Sequence, residues 1–415
     1  MIATEYCKNV FDGTHDSPKF LDNGYLLVTS KNIANRELDL TGANFISEED
    51  YNKINERSKV HQWDIFFSMI GTVGNVFLQT EKEVNYAIKN MGVFSCENED
   101  KAKWLYYYLQ SPYFKKLMNS LLSGAVQKFV PLGFLRSIDI PKYDDNKKAI
   151  VKFLSSLDDK ISLNNRINAK LEQMAKRLYD YWFVQFDFPN ADGKPYKASG
   201  GKMVWNEELK REIPEGWEVK SINDISVSYR GVGYTADDEK SETDENVVLI
   251  LRGNNISNNH IVFDSNTVYL DKTFVSPDQE IHKFDLVMTM SSGSKEHVGK
   301  SAMFLYDSSH SYGAFCNKIT PNEDCQYFLE NYLHSEYFKK YIKVTCSGTG
   351  INNLTNEHFD KAKFAFPDDE VLKAFNEKMN AIYEKRGILE QENLKLTSMR
   401  DKLLPLLMNG QVVVE

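Results

Sequence analysis

Cysteine is scarce in this chain. Cys7, Cys96, Cys316, Cys325 and Cys346 are odd in number among 415 residues and lack C-x-x-C spacing. A disulfide scaffold is thereby excluded, and the five read as reduced thiols of a cytoplasmic protein. Long apolar runs are missing too. None approaches about 18 residues, so no membrane span is expected. The opening Met1-Ile-Ala-Thr-Glu-Tyr6 has neither a basic region nor an apolar stretch and is no signal peptide. Positive charge is in deficit, with 50 Lys and Arg against 59 Asp and Glu, a net charge of −9. As a whole-chain average this argues against a nucleic-acid partner, although it leaves a local basic face open.

Catalytic motifs are absent as well. No G-x-x-x-x-G-K-[ST] loop is present to cradle a nucleotide. No two prolines are adjacent, which removes the Asn-Pro-Pro-aromatic pocket of adenine-amino methyltransferases. Gly231-Val-Gly233 and Gly348-Thr-Gly350 are incomplete dinucleotide fingerprints and read as loops. The eight histidines lack H-E-x-x-H or other paired spacing, so no metal site is expected. Asp158-Asp159-Lys160 has the residue types of a nuclease set but sits in a helical stretch, where a solvated face is expected. The chain reads as non-catalytic. What it does have is 42% hydrophobic and 13% aromatic content, enough for two or three globular domains.

The chain is written twice. Tyr106-Tyr-Tyr-Leu-Gln-Ser-Pro-Tyr-Phe-Lys-Lys116 recurs as Glu330-Asn-Tyr-Leu-His-Ser-Glu-Tyr-Phe-Lys-Lys340, an offset of 224 that also places Ser123-Gly124 on Ser347-Gly348. Leu26–Ile33 matches Leu249–Ile256, His61–Ser68 matches His282–Thr289, and Ile138–Pro141 matches Phe364–Pro367. Such a period is too long for a solenoid and marks a duplicated domain. In each copy short alternating segments read as strands, namely Leu26–Val28, Ile65–Met69, Val247–Leu251, Leu286–Met290 and Ala302–Tyr306. A short helix is expected at Lys101–Met118 and again at Cys325–Val344, followed by a polar loop, a strand ending in proline, and a long helix.

The long helices carry the plainest signal. Asn146–Phe183 contains no Gly or Pro and would be roughly 55 Å long. Ile150, Leu157, Leu171 and Leu178 fall at heptad spacing, with Asn164 interrupting the row. The second copy gives Phe375, Ile382, Leu389, Leu396 and Leu403 at seven-residue steps. Such seams bury against another helix. An antiparallel pair within one chain is the simplest solution, and pairing between chains is the alternative. The expected organisation is residues 1–145 as a first module, 146–185 as a long helix, and 186–217 as a linker with turns. Residues 218–367 form a second module, and 368–415 a second long helix with its tail. The fold class is α+β, two similar modules on two long antiparallel helices with pseudo-twofold repetition. Ile213–Ile225 precedes the second module, and the first is expected to lack a counterpart.

Three polar loops recur in register with different residues. Loop one carries Lys31, Asn32 and Asn35, against Arg252, Asn254 and Asn255. Loop two carries Gly71, Thr72 and Asn75, against Ser291, Ser292, Ser294 and Lys295. Loop three carries Ser123, Gly124, Gln127 and Lys128, against Ser347, Gly348, Thr349, Asn352 and Asn353. Arg and Lys can fork onto guanine O6 and N7, and Asn and Gln onto adenine N6 and N7. Ser, Thr and backbone amides suit phosphate oxygens. The same composition is ordinary for turns. The recurrence of the frame with altered residues is what favours two reading modules. The alternative is a coiled-coil scaffold whose paired domains bind protein or glycan.

Lys148–Asn165, Leu171–Phe183, Ile213–Val219, Leu389–Leu396 and Arg400–Gln411 resemble the specificity subunits of type I restriction–modification systems, and Asp12-Gly-Thr-His-Asp-Ser-Pro18 is similar to a common opening of their first recognition domain. The resemblance covers essentially the whole chain. It implies two target recognition domains, each reading one half of a split site in double-stranded DNA, spaced by an antiparallel coiled coil. It also implies two modification subunits bound to the helical regions and restriction subunits beyond them. S-adenosylmethionine, ATP and magnesium are expected on those partners and none on this chain.

Overall fold

The computed structural model describes residues 1–34, 36–96, 98–122, 129–263, 267–293, 296–346 and 352–412. They form two compact units, Met1–Leu163 with Asn393–Glu415, and Asn164–Glu392. Both long helices are therefore shared between the units.

In the first unit a four-stranded antiparallel sheet has the spatial order Asn9–Asp12, Met91–Ser95, Asp64–Ser68, Val76–Leu78. A second sheet sets Tyr25–Val28 between Asn44–Ile46, antiparallel, and Tyr86–Ile88, parallel. Every residue of Asp64–Ser68 is buried, because side chains on its two faces enter two cores. Ile65 and Phe67 pack with Phe94, Leu105, Phe114 and Ile150 on the helical side. Phe66 packs with Val28, Ile88 and Val93 towards the second sheet.

The second unit repeats this plan. Its four-stranded sheet runs Ser226–Arg230, Cys316–Pro321, Leu286–Thr289, Ser301–Met303, and its three-stranded sheet runs Val268–Asp271, Val247–Leu251, Ser311–Tyr312. Leu286 and Met288 face the helical core, while Val287 faces the other sheet with Leu249 and Leu251. The strands expected at Leu26–Val28, Ile65–Met69, Val247–Leu251 and Leu286–Met290 are found to within a residue, whereas that at Ala302–Tyr306 stops at Met303; of the two expected to end in proline, Lys363–Phe366 forms and Ile138–Pro141 holds only the isolated Ile2–Asp139 bridge.

Each short helix expected as one is two. In the first unit Glu99–Tyr108 ends before Pro112–Leu122, and Ser111 Oγ accepts the amide of Phe114 at 3.2 Å. In the second, Gln326–Leu333 ends before Glu336–Thr345, whose N-cap Ser335 accepts from Phe338 at 3.2 Å. A serine that satisfies a first-turn amide starts a new helix, and Pro112 at a first turn forgoes only an amide with no helical partner.

The first long helix spans Asp145–Tyr179 and closes in a π turn, Asp180–Val184, which buries both Trp182 and Phe183. The second spans Asp369–Met408. They pack antiparallel within each unit. In the first unit Asp158 meets Arg400 at 2.7 Å. In the second, Asn164 Nδ2 donates to Glu392 at 2.8 Å and Glu172 meets Arg386 at 3.0 Å. Ile150, Leu157, Asn164, Phe375 and Leu389 are buried, whereas Leu171, Leu178, Ile382, Leu396 and Leu403 are only half-buried. The heptad row is thus a partial account of the seam. Its buried positions also include Asn168, Arg386 and Arg400, and a seam containing such groups drifts from a strict apolar repeat. Asp158, expected on a solvated face, is instead three-quarters buried, with Arg400 and Tyr107 bound to its carboxylate.

Residues 186–217 are not a loose linker. They hold the hairpin Met203–Asn206 with Arg211–Pro214, and Phe186, Phe188, Ile213 and Trp217 lie in the second unit's core. The first module also has its leading piece. Ile2 bridges Asp139 and the helix Ala3–Tyr6 follows, matching strand Glu218–Ser221, which pairs with Lys363–Phe366, and helix Ile222–Ile225. No described helix is long and apolar enough to cross a membrane.

Candidate nucleic-acid interface

Strand geometry gathers the loops at one end of each module. In the first unit the parallel strands Tyr25–Val28 and Tyr86–Ile88 finish side by side, so loop one and Lys89–Asn90 leave together. Ser68 pairs with Met91 and Asp12 with Gly92, which brings loop two and the segment after Asp12 to the same end. The described residues that follow loop three are joined there by the Ile70–Phe129 bridge, with Val130 N donating to Met69 O at 3.0 Å. The second unit repeats these joints. Leu251 pairs with Tyr312, Thr289 with Cys316, and Ser291–Ser292 with Asn352–Asn353.

Loop one is folded by an asparagine. Asn32 is buried, its Oδ1 accepts from Thr29 N at 2.9 Å and Thr29 Oγ1 at 3.1 Å, and its Nδ2 donates to Asp39 O at 2.9 Å. Asn255 is fully buried, accepts from Arg252 N at 2.9 Å and donates to Val262 O at 3.0 Å. Only a side chain with both an acceptor and two donors can close this turn from both sides. The expectation that Asn32 and Asn255 read bases is therefore corrected, because their bonding groups are spent inside the loop. Asn75 is likewise structural, donating to Ile33 O at 2.8 Å.

The outward groups are others. Lys31, Thr72, Asn254 and Asn353 are exposed, and Arg252 and Ser292 are half-buried. Arg252 lies beside Tyr234. Burial pushes the Tyr234 hydroxyl up, and the charge of Arg252 partly offsets this. Loop one packs closely on the central strand, where a Cβ on Gly253 would lie 3.0 Å from Thr289 Cγ2. Gln127, Lys128, Ser294, Lys295 and Thr349 lie outside the described residues, as does the side chain of Asn352.

Sequence reading missed several groups at these ends. Phe315 is 70% exposed, and its carbonyl accepts the amides of Met290 and Ser291 at 2.9 and 3.2 Å. Phe129 is 44% exposed beside loop two of the first unit. An aromatic flanking a strand reads as core in a sequence, so neither had a signal. His15, within Asp12–Pro18, is another such group. It meets Asp12 at 2.9 Å and Asn90 at 2.8 Å, and Arg57 meets the other Asp12 oxygen at 2.7 Å. Lys89 Nζ donates to Ser17 at 2.6 Å. The Arg57 and Lys89 cations and the exposed rings suit phosphate contact and base stacking.

A duplicated mixed fold, with a cluster of polar loops at one end of each copy and long helices shared between the copies, defines a two-module recognition protein. The chain belongs to the type I restriction modification DNA specificity family, whose domain it matches over residues 15–173 and 214–398; the specificity subunit is the non-catalytic component of these enzymes. It is similar to the type I restriction enzyme HindI specificity subunit of Haemophilus influenzae, 26% identical over 412 residues and covering 86% of this chain and 88% of that one. The StySPI specificity subunit of Salmonella potsdam is 29% identical over 205 residues, 48% of this chain and 44% of that one, so this chain's match spans less than half of that relative. The crystal structure of a type I restriction–modification S subunit from M. genitalium has a TM-score of 0.48 at 14% identity, covering 96% of this chain and 93% of that one.

Proposed function

We propose that this chain is the DNA-reading subunit of a type I restriction–modification complex, each module reading one half of a bipartite, asymmetric site. The observation that carries this is the loop cluster. Both units hold the same asparagine-locked turn, yet the outward side chains on and around it differ, exposed Lys31 and Thr72 in one, and half-buried Arg252 with exposed Asn254 and Asn353 in the other. A shared frame with different outward groups fits two half-sites of different sequence. Arg252 can fork onto guanine, and Asn254 and Asn353 onto adenine. The other described or expected members of the set are Ser292, Gln127, Lys128, Ser294, Lys295, Thr349 and Asn352.

The helix pair is the docking surface for two modification subunits, which bring S-adenosylmethionine and methylate adenine. Restriction subunits supply the ATP- and magnesium-dependent steps. This chain contributes sequence choice and geometry. The test is the adenine methylome of cells co-expressing the chain with its modification subunit. The expected result is a split motif, two short half-sites around a fixed gap. A stable complex that methylates no such motif would overturn the proposal.

A further inference from the structure

In each unit the hairpin that follows the locked turn is tied near its tip to both long helices by a basic side chain. The first unit's hairpin, Ile33–Ala34 with Glu37–Leu38, turns through Arg36 at φ 68°. Arg36 Nη2 lies 3.2 Å from Asp401 on the second long helix, and Nη1 lies 4.0 Å from Asp158 on the first. The second unit's hairpin, Ile256–Ser257 with His260–Ile261, turns through Asn258 and Asn259. The next residue, His260, sets Nε2 3.0 Å from Glu172 on the first long helix and Nδ1 3.9 Å from Glu390 on the second. Adjacent hairpin positions thus place a basic side chain between one carboxylate from each helix in both units, using different residues.

We infer that Arg36 and His260 are positioning residues that fix each reading hairpin on the helix pair, and that they make recognition by the second module, but not the first, dependent on pH. This rests on the DNA-reading proposal above. The coupling to the readers is direct, since Asn255 Nδ2 donates to Val262 O and Val262 N to Asn255 O at 2.8 Å, joining the hairpin to the turn of Arg252 and Asn254.

A guanidinium stays charged at every working pH, whereas an imidazole does not. Burial pushes the His260 imidazole down, but the Glu172 bond and the charges of Glu172 and Glu390 outweigh it and leave its pKa raised. Arg386, 3.0 Å from Glu172, opposes this, and Glu330, His334 and, beside Glu390, Tyr306 are among the surrounding charged and titratable groups. A raised histidine pKa means the clamp is complete below about pH 6.5 and is lost as pH rises through the folded value.

The experiment uses the full chain with its modification subunits and duplexes mismatched in either half of the methylated motif. From about pH 6 to about pH 8.5, discrimination at the second module's half should fall about fivefold, the scale of one half-exposed ion pair, while the first half stays level. His260→Arg should flatten the profile, and Arg36→His should transfer the dependence to the other half. Identical profiles for wild type and His260→Arg would overturn the inference. If no duplex is bound selectively at any pH, the DNA-reading proposal has failed instead. Hydrogen-exchange protection of residues 256–261 in the full chain, normalised to intrinsic exchange, then reads the clamp alone. Protection lost with rising pH in wild type but not in His260→Arg supports it, and equal loss overturns it.

Discussion

Asn32 and Asn255 do the same work in two turns whose other residues have diverged. An asparagine beside Lys or Arg in a polar loop has the chemistry of a base reader, and residue type alone cannot separate that use from a turn lock. The difference lies in burial, which depends on a chain segment seven residues away folding back onto the amide. Asn255→Ala removes one acceptor and two donors, leaving Arg252 N and Val262 O to find other partners in a buried place. We expect a loss of about 1–3 kcal/mol, the cost of orphaning buried backbone groups, measured as a lowered denaturation midpoint. Asn254→Ala, one residue away on the exposed side, should lower that midpoint less than Asn255→Ala does while weakening DNA discrimination. Equal destabilisation by both would contradict the division into frame and reader.

At the scale of elements, the duplication, the two long helices and the central strands were legible because each rests on a pattern the sequence must carry. A nearly constant offset marks the repeat, heptad spacing marks a helix, and a short run such as Leu286–Thr289 marks a strand buried on both faces. The breaks at Ser111 and Ser335 were not read, because a serine cap competes locally with an apolar pattern that continues across it. The hairpin within 186–217 was masked by its glycines and prolines, although Phe186, Phe188 and Trp217 are core residues. The polar stretch of the helix seam was hidden for a further reason, that its charges are satisfied by distant residues. Arg386 is 4% exposed and pairs Glu172 at 3.0 Å and Glu330 at 3.4 Å, and Glu330 also accepts from the Tyr383 hydroxyl. Arg386→Met should cost about 3–5 kcal/mol, because it leaves Glu330 buried without its cation. Replacing Glu330 by Met in the same chain should recover most of that loss, since a paired buried ion set and an apolar one of similar volume differ little. The two midpoints, measured by denaturant unfolding, decide whether the pair fixes the short helix to the long one or merely lies between them.

For the whole molecule, the net charge of −9 sets a limit on what the chain can do alone. Double-stranded DNA holds a protein at physiological salt chiefly through neutralised phosphates, and each one steepens the salt dependence by about 0.9 in the logarithm. Among the described residues at the first module's loop end, Lys31 is exposed, Arg57 is turned onto Asp12 and Lys89 is bonded to Ser17. Base contacts choose a sequence but supply little of this electrostatic term. We therefore expect the isolated chain to bind its split site weakly, in the roughly micromolar or weaker range of non-specific association, with a shallow salt slope. Adding the modification subunits should steepen the slope by the number of phosphates they cover, while exchange of loop residues in this chain should change the preferred sequence and leave the slope unaltered. Titrations of both forms over a series of salt concentrations separate the two contributions. A slope for the isolated chain equal to that of the complex would place the phosphate contacts here.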